Sequence, residues 1–249
     1  MAKSKKTNPV VHSDYDIFIK GETVDLCVPS DDKWIIDKWF RWFNREEVTA
    51  YLSQGLYPNT LKSQKAFYDS LENNNSRIVL LIKPKDYDGF VGVTSLSSIN
   101  LVHRRCDFAL VIAEKLNTSG SMYYGLETKA LMTQHAIEKL GLERINSSQI
   151  IDLVKWQNWQ ILLGYQVEGL LRNKFRKGNK TFDVLVSSCL LKDYNKIIKI
   201  RGGKLWPGKS KFLELIQNLP KNSLINEMLT WFPQKQKAYW NKVFSPRKQ

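Results

Sequence analysis

The sequence predicts a mixed α/β domain of the α+β kind, with a mostly antiparallel central sheet flanked by helices and a basic helical appendage at the C-terminal end. Three observations carry this. Short apolar runs bounded by turn residues alternate with helical patterns in the order β-α-α-α-β-β-β-α-β-α-β-β as far as Leu190. The stretch Tyr124-Gly125-Leu126-Glu127-Thr128-Lys129-Ala130-Leu131 puts a glycine directly before a helical stripe of Leu126, Ala130, Leu131, Ile137 and Leu140. Later, Gly202-Gly203 and Trp206-Pro207-Gly208 break the chain and lysines gather.

Residues 1–12 read as a flexible basic arm. A first strand is expected over Gly21–Val28. Ser30-Asp31-Asp32 then opens a helix, with a capping serine and acids that suit the helix dipole. Trp34, Trp39, Phe40 and Phe43 recur on it at helical spacing, facing either the core or an acceptor groove. Glu46–Leu52 reads as a short second helix, and Thr60 caps a third whose apolar face is Phe67, Tyr68 and Leu71. Strands follow at Ile78–Ile82, Phe90–Ser95 and Arg104–Ile112. After the glycine-led helix come a strand at Ile145–Ile151, a helix over Val154–Leu163 stopped by Gly164, and strands at Tyr165–Leu171 and Phe182–Leu190. Phe212–Leu219 and Leu224–Phe232 read as two amphipathic helices, with Pro220 and Pro233 as stops. The implied division is 1–12 arm, 13–194 main domain and 195–249 appendage.

Cys27, Cys106 and Cys189 are odd in number and far apart, suggesting neither a disulfide framework nor a zinc site. His12, His103 and His135 show no grouping of a triad or metal kind, so no metal is expected. No apolar run approaches the length of a membrane span, and the first residues do not read as a secretory signal; a reducing cytoplasm is the expected setting. The formal net charge is +14, of which residues 1–10 carry +3 and residues 195–249 carry +10, leaving +1 for 11–194. Basic ends of this sort attract polyanions such as nucleic acid, or simply keep the chain soluble.

A glycine-bearing helix start between two strands suits a pyrophosphate, because the first turn of a helix presents unpaired N–H groups and a partial positive charge. Four segments carry a further likeness: Trp42-Phe43-Asn44-Arg45-Glu46-Glu47-Val48-Thr49-Ala50-Tyr51-Leu52, Asp107-Phe108-Ala109-Leu110-Val111-Ile112, the stretch from Tyr124 to Leu131, and Leu163-Gly164-Tyr165-Gln166-Val167-Glu168-Gly169. In order and spacing they resemble the GNAT superfamily of acyl-CoA-dependent N-acyltransferases, and more narrowly its RimJ/RimL-type branch. The resemblance covers residues 18–192 and implies acetyl-CoA as acyl donor and a primary amine as acceptor. It implies cofactor contacts from the strand at Leu110, Val111 and Ile112 and from Met122, Tyr123, Tyr124, Gly125, Leu126, Glu127 and Thr128. Asp107 is the first choice for the base that deprotonates the amine, unless it only pairs with Arg104 or Arg105. Glu47 is the second choice, and Trp39, Trp42 and Phe43 are the candidates for the acceptor side.

The sequence departs from that family in places. In Met122-Tyr123-Tyr124-Gly125-Leu126-Glu127 only Gly125 fits the usual loop, and Glu127 brings a negative charge toward the phosphates. Leu153 stands where an asparagine is common, and Gln160 where many members have a tyrosine acid. The acceptor expected from the basic ends is anionic, an amino-sugar nucleotide, a modified nucleotide or nucleic acid, or else a protein N-terminus. The alternative is a catalytically degenerate member serving as a nucleic-acid- or protein-binding module.

Overall fold

The computed structural model describes residues 16–116, 121–220 and 224–244. The arm expected over residues 1–12 lies outside them. The chain opens with a hairpin, β1 (Ile17–Lys20) and β2 (Val24–Cys27), where one strand over Gly21–Val28 was expected. The cause is a distant carboxylate. Glu127 accepts hydrogen bonds from the N–H groups of Glu22 and Thr23 and from the Thr23 hydroxyl, so the chain turns there.

Three helices follow: α1 (Lys33–Trp42), α2 (Glu46–Thr49) and α3 (Leu61–Asp69). Ser30 does not cap α1, because its hydroxyl bonds the Asp32 carboxylate instead, and the first turn closes on the Asp32 carbonyl. Thr60 does cap α3, its Oγ1 accepting from the Ser63 N–H at 3.0 Å. Strands β3 (Ile78–Pro84), β4 (Gly92–Asn100) and β5 (Arg105–Ile112) then form a meander. Helix α4 (Ser121–Glu138) leads to β6 (Arg144–Ile150). Helix α5 (Val154–Gln160) tightens to a 3-10 turn through Leu163 and stops at Gly164, whose φ of 86° is the left-handed conformation that glycine allows. The long hairpin of β7 (Gln166–Lys177) and β8 (Lys180–Leu190) closes the sheet.

The eight strands lie in the order β1-β2-β3-β4-β5-β6-β8-β7, and every neighbouring pair is antiparallel except β5 with β6. Alternation along β5 assigns its side chains to two faces. Cys106, Phe108, Leu110 and Ile112 join the larger core around α4. Asp107, Ala109 and Val111 look the other way, where Val111 packs in a second core with Trp39 and Trp42 of α1 and Phe67 of α3. Helix α4 is buried all round along its middle, polar residues included: Glu127, Thr128, Lys129 and Thr133 are each fully enclosed.

Helix α6 (Leu191–Ile200) continues from β8 without a break, so the boundary expected at 194/195 falls inside it. Asp193 holds its start by accepting from the Leu190 N–H, and Tyr194 is buried with its hydroxyl on Glu138. Helix α7 (Lys209–Gln217) and the segment before it bring Leu205, Trp206 and Phe212 into the core around α4. Helix α8 (Leu224–Phe244) runs through Pro233, where a stop was expected. Ile225 seats its first turn, while Trp231, Tyr239, Trp240 and Phe244 stand exposed along it. No helix among the described residues is long and apolar enough to cross a membrane.

Candidate active site

The parallel pair at the centre of the sheet is short. Arg105, Cys106 and Asp107 pair with Arg144, Ile145 and Asn146, and there the ladder ends, although β5 runs on to Ile112 and β6 to Ile150. The C-terminal halves of the two strands part. Main-chain groups of β5 from Phe108 onward are paired with β4 on one side only and face an opening on the other.

Helices α4 and α5 flank that opening. A Cβ on Gly125 would lie 3.0 Å from Leu110 Cδ2 and 3.2 Å from the Trp156 ring, so the missing side chain is what lets α4 approach β5 and α5 this closely. Gly125 therefore sits inside the helix and not in a loop before it, which corrects the sequence expectation. The N–H groups of Tyr124, Gly125, Leu126, Glu127 and Thr128 lie inside the helix, and only Ser121, Met122 and Tyr123 stand in the first turn, where main-chain N–H groups have no intrahelical acceptor. Tyr123 and Tyr124 are core side chains; the Tyr124 hydroxyl bonds Asp86. Glu127 does not approach the opening, since its carboxylate is committed to the β1–β2 turn; burial pushes its pKa up against those hydrogen bonds. Buried oxygens of Thr128, Gln157 and Asn158, on the same two helices, have no partner among the described residues.

Lys129 points into this region with no carboxylate beside it. It is fully buried; its Nζ donates to Ser147 Oγ at 2.7 Å and Gln160 Oε1 at 2.5 Å and lies 3.6 Å from the centre of the Tyr165 ring. Desolvation drives its pKa well below the ordinary lysine value. Gln160 extends the network, donating to Gln149 Oε1 at 3.0 Å and Ser187 Oγ at 3.2 Å. Gln160 is thus a structural hub.

On the opposite face of β5 lies an open cavity of about 670 Å³. Its floor is β4 and β5, including Ala109, Leu110 and Val111. Its walls come from α1, α3 and the segment 52–59. Trp39 and Phe43 line it, as the sequence suggested, whereas Trp42 does not: that ring is buried and its Nε1 donates to Glu114 at 2.7 Å. Tyr57, Phe67, Gln64 and Arg77 complete the wall. Lys177, at the tip of the β7–β8 hairpin, donates to the carbonyls of Leu52 (3.2 Å) and Gln54 and so pins the segment above the cavity.

Asp107 lies one side-chain step along the same face from Ala109, opposite Ser97 of the cavity floor. It pairs with neither Arg104 nor Arg105. Asn146 Nδ2 donates to its Oδ1 at 2.9 Å, Arg144 Nε holds Asn146 at 2.7 Å, and the Arg144 guanidinium grips Glu168, which also accepts from Ser188 at 2.7 Å. A polar relay thus crosses β8, β7, β6 and β5 and ends on one carboxylate oxygen, leaving Oδ2 without a partner among the described residues. The Arg144 contact also lowers the pKa of Glu168. Glu47 is elsewhere. It is exposed on α2, outside the cavity lining, and its ion pair with Arg45 at 2.7 Å lowers its pKa, which makes it a poor base. Burial pushes the thiols of Cys27, Cys106 and Cys189 up to about 11, 12 and 12, so none is poised as a nucleophile. No group of side chains suited to a metal ion occurs among the described residues.

Comparison with known proteins agrees with this geometry. Residues 29–151 match the model of the Acetyltransferase (GNAT) domain. No curated protein sequence matches the chain. Among solved structures, a GCN5-related N-acetyltransferase from Brucella melitensis superposes with a TM-score of 0.62 at 16% identity, covering 83% of this chain and 96% of that one. A spermidine N-acetyltransferase from Vibrio cholerae, in complex with CoA and spermine, gives 0.61 at 16% identity over 70% and 98%. The microcin C7 self-immunity acetyltransferase MccE, in complex with acetyl-CoA and AMP, gives 0.56 at 15% identity over 69% and 94%. At these identities the likeness is one of fold, and the match to the GNAT domain model is confined to residues 29–151.

Proposed function

We propose, from the premise of a GNAT acetyltransferase domain, that this protein moves an acetyl group from acetyl-CoA to a primary amine by direct attack in a ternary complex. One observation carries the reading. The parting of β5 from β6 and the 670 Å³ cavity lie on two sides of the same residues, Leu110 and Val111, so a donor and an acceptor can meet there. Acetyl-CoA, when bound, supplies the thioester carbonyl. The first-turn N–H groups of α4 suit its pyrophosphate. The edge of residues 108–112 that faces away from β4 suits the amides of its pantetheine arm, and an N–H at Leu110 or Val111 would steady negative charge on the carbonyl oxygen.

Asp107, beside the cavity floor, would take the ammonium proton on Oδ2 and free the nitrogen lone pair, with Asn146 holding Oδ1. As the C–N bond forms the C–S bond breaks, and the second proton shed by the amine goes to the departing thiolate. Holding amine and thioester in line across β5 supplies most of the acceleration. The raised thiols of all three cysteines favour direct attack over an acyl-cysteine route. The test is calorimetric titration with CoA, followed by an amine panel with acetyl-CoA in which free thiol and acetylated amine are both measured. One CoA per chain and amine-dependent thiol release are expected. Absence of both overturns the reading.

A further inference from the structure

Two residues of the cavity wall carry buried hydrogen-bond donors that have no partner among the described residues. Trp39 is 1% exposed and Gln64 is 3% exposed, and both line the cavity. Trp39 Nε1 and Gln64 Nε2 have no partner among the described residues, although Gln64 Oε1 accepts from Asn59 at 3.1 Å. A buried donor left unpaired is costly, so two in one cavity point to a ligand that supplies acceptors. Arg77 stands at the same wall, its guanidinium 5.8 Å from the centre of the Phe67 ring, and it forms no ion pair among the described residues. No aspartate or glutamate among the described residues lines the cavity. The remaining wall is aromatic: Phe43, Phe67 and Tyr57, the last 86% exposed with its ring uncovered.

We infer that the acceptor is an amine carrying an oxyanion, a carboxylate or phosphate, on an aromatic or apolar body. The oxyanion accepts from Trp39 Nε1 and Gln64 Nε2 and pairs with Arg77. The body lies against the aromatic rings, and the amine extends along the floor toward Ala109 and Asp107. A polyamine does not fit, because its second ammonium meets Arg77 and donors where it needs carboxylates. This inference rests on the transferase reading for the direction of the amine, but the anion site stands on geometry that involves no cofactor.

The experiment therefore has a binding arm and a turnover arm. Calorimetry without acetyl-CoA measures 4-methylbenzoate and phenyl phosphate, which lack the amine, on the full chain and on Arg77→Gln and Trp39→Phe. Binding weakened roughly tenfold by Arg77→Gln, and less by Trp39→Phe, is expected for loss of a charged and a neutral donor respectively. The stronger of the two anions identifies the oxyanion. With acetyl-CoA, 4-(2-aminoethyl)benzoate and tyramine phosphate are compared with phenethylamine and spermine. At least one anionic amine exceeds phenethylamine about tenfold or more in kcat/KM, and Arg77→Gln collapses that ratio. If CoA binds and spermine is the best acceptor, or if Arg77→Gln leaves the ratio and the anion binding unchanged, the inference is wrong. If the anions bind as described but CoA does not, the cavity is an anion site and the transferase reading is the one that falls.

Discussion

Lys129 and the pair Trp39 and Gln64 are buried to nearly the same degree on opposite sides of β5, yet their hydrogen bonding differs. Around Lys129 the side-chain nitrogen, Ser147, Gln160, Gln149 and Ser187 find one another, and aromatic rings close the rest. Trp39 and Gln64 line a cavity, and their buried donors have no partner among the described residues. A polar cluster that satisfies itself stabilises and specifies a fold, whereas one that is left short of acceptors is completed by something that binds. The difference separates structural from functional polarity in a chain where residue type alone does not: the lysine, an obvious candidate for chemistry, belongs to the first kind, and the tryptophan, an ordinary core residue by composition, to the second.

The sharpest test of that division is at Asp107. Asp107→Asn keeps the contact to Asn146 within reach but removes the proton acceptor, and kcat should fall by about a hundredfold or more, the usual contribution of a general base. Thermal midpoint should change little, because the group is exposed. Glu47→Gln, which touches only Arg45 on the surface, should stay within about twofold. Equal losses in the two variants would show that the relay through Arg144 and Asn146 is not aimed at chemistry.

Lys129 offers the converse, a change in stability. Its folded pKa is depressed by burial, so the unfolded chain binds the proton more readily at neutral pH and above. Stability must then rise with pH between the depressed folded value and the ordinary lysine value near 10.5, by at most about 1.4 kcal/mol per pH unit. Lys129→Met, similar in length and without the charge, should remove that slope. It also leaves Ser147 and the Gln160 Oε1 short of a donor. Urea unfolding of both proteins at neutral and mildly alkaline pH reads the two slopes. Identical slopes would mean that the lysine is folded in its charged form, and the cluster would then not be self-sufficient.

How much of this was legible in the sequence follows from the range of the interactions. The strands between Ile78 and Ile112 announced themselves because apolar runs between turn residues are a local signal. The start of α4 did not, since Gly125 reads locally as a break. Its reason for being glycine is a contact with Leu110 and Trp156, worth more than the roughly 1 kcal/mol that glycine costs in a helix. The partners of Lys129 are 18 and 31 residues away, and nothing near the lysine hints at them. Asp107 was named by resemblance; the alternative, a pairing with Arg104 or Arg105, is not the contact formed, because Asn146 lies beside it across the parallel ladder while the arginines are near only in sequence. Trp39 and Phe43 share a helical face and were readable as a pair; Trp42 carries the same residue type one turn away and is anchored instead by Glu114. Tyr57 and Arg77 lie outside periodic elements and gave no signal.

The segment over the cavity supplies the finest distinction. It is held from outside the domain's first half: Lys177 reaches the carbonyls of Leu52 and Gln54 across 125 and 123 residues. Gly55 turns the chain there at a φ of 82°, and a Cβ at that position would strike the Thr49 side chain at 2.4 Å and lie 3.3 Å from Lys177 Nζ. The segment is thus clamped between α2 and the β7–β8 hairpin while its aromatic tip, Tyr57, stays exposed. Lys177→Ala frees two carbonyls that water can reach, so the cost in stability should be slight. The effect belongs to the cavity wall: the acceptor KM should rise by about two- to fivefold, the range expected for one or two exposed hydrogen bonds, with kcat and CoA affinity unchanged. An equal change in CoA affinity would show that the two sides of β5 are coupled through this clamp, and the separation between the self-satisfied Lys129 cluster and the receptive cavity would have to be redrawn.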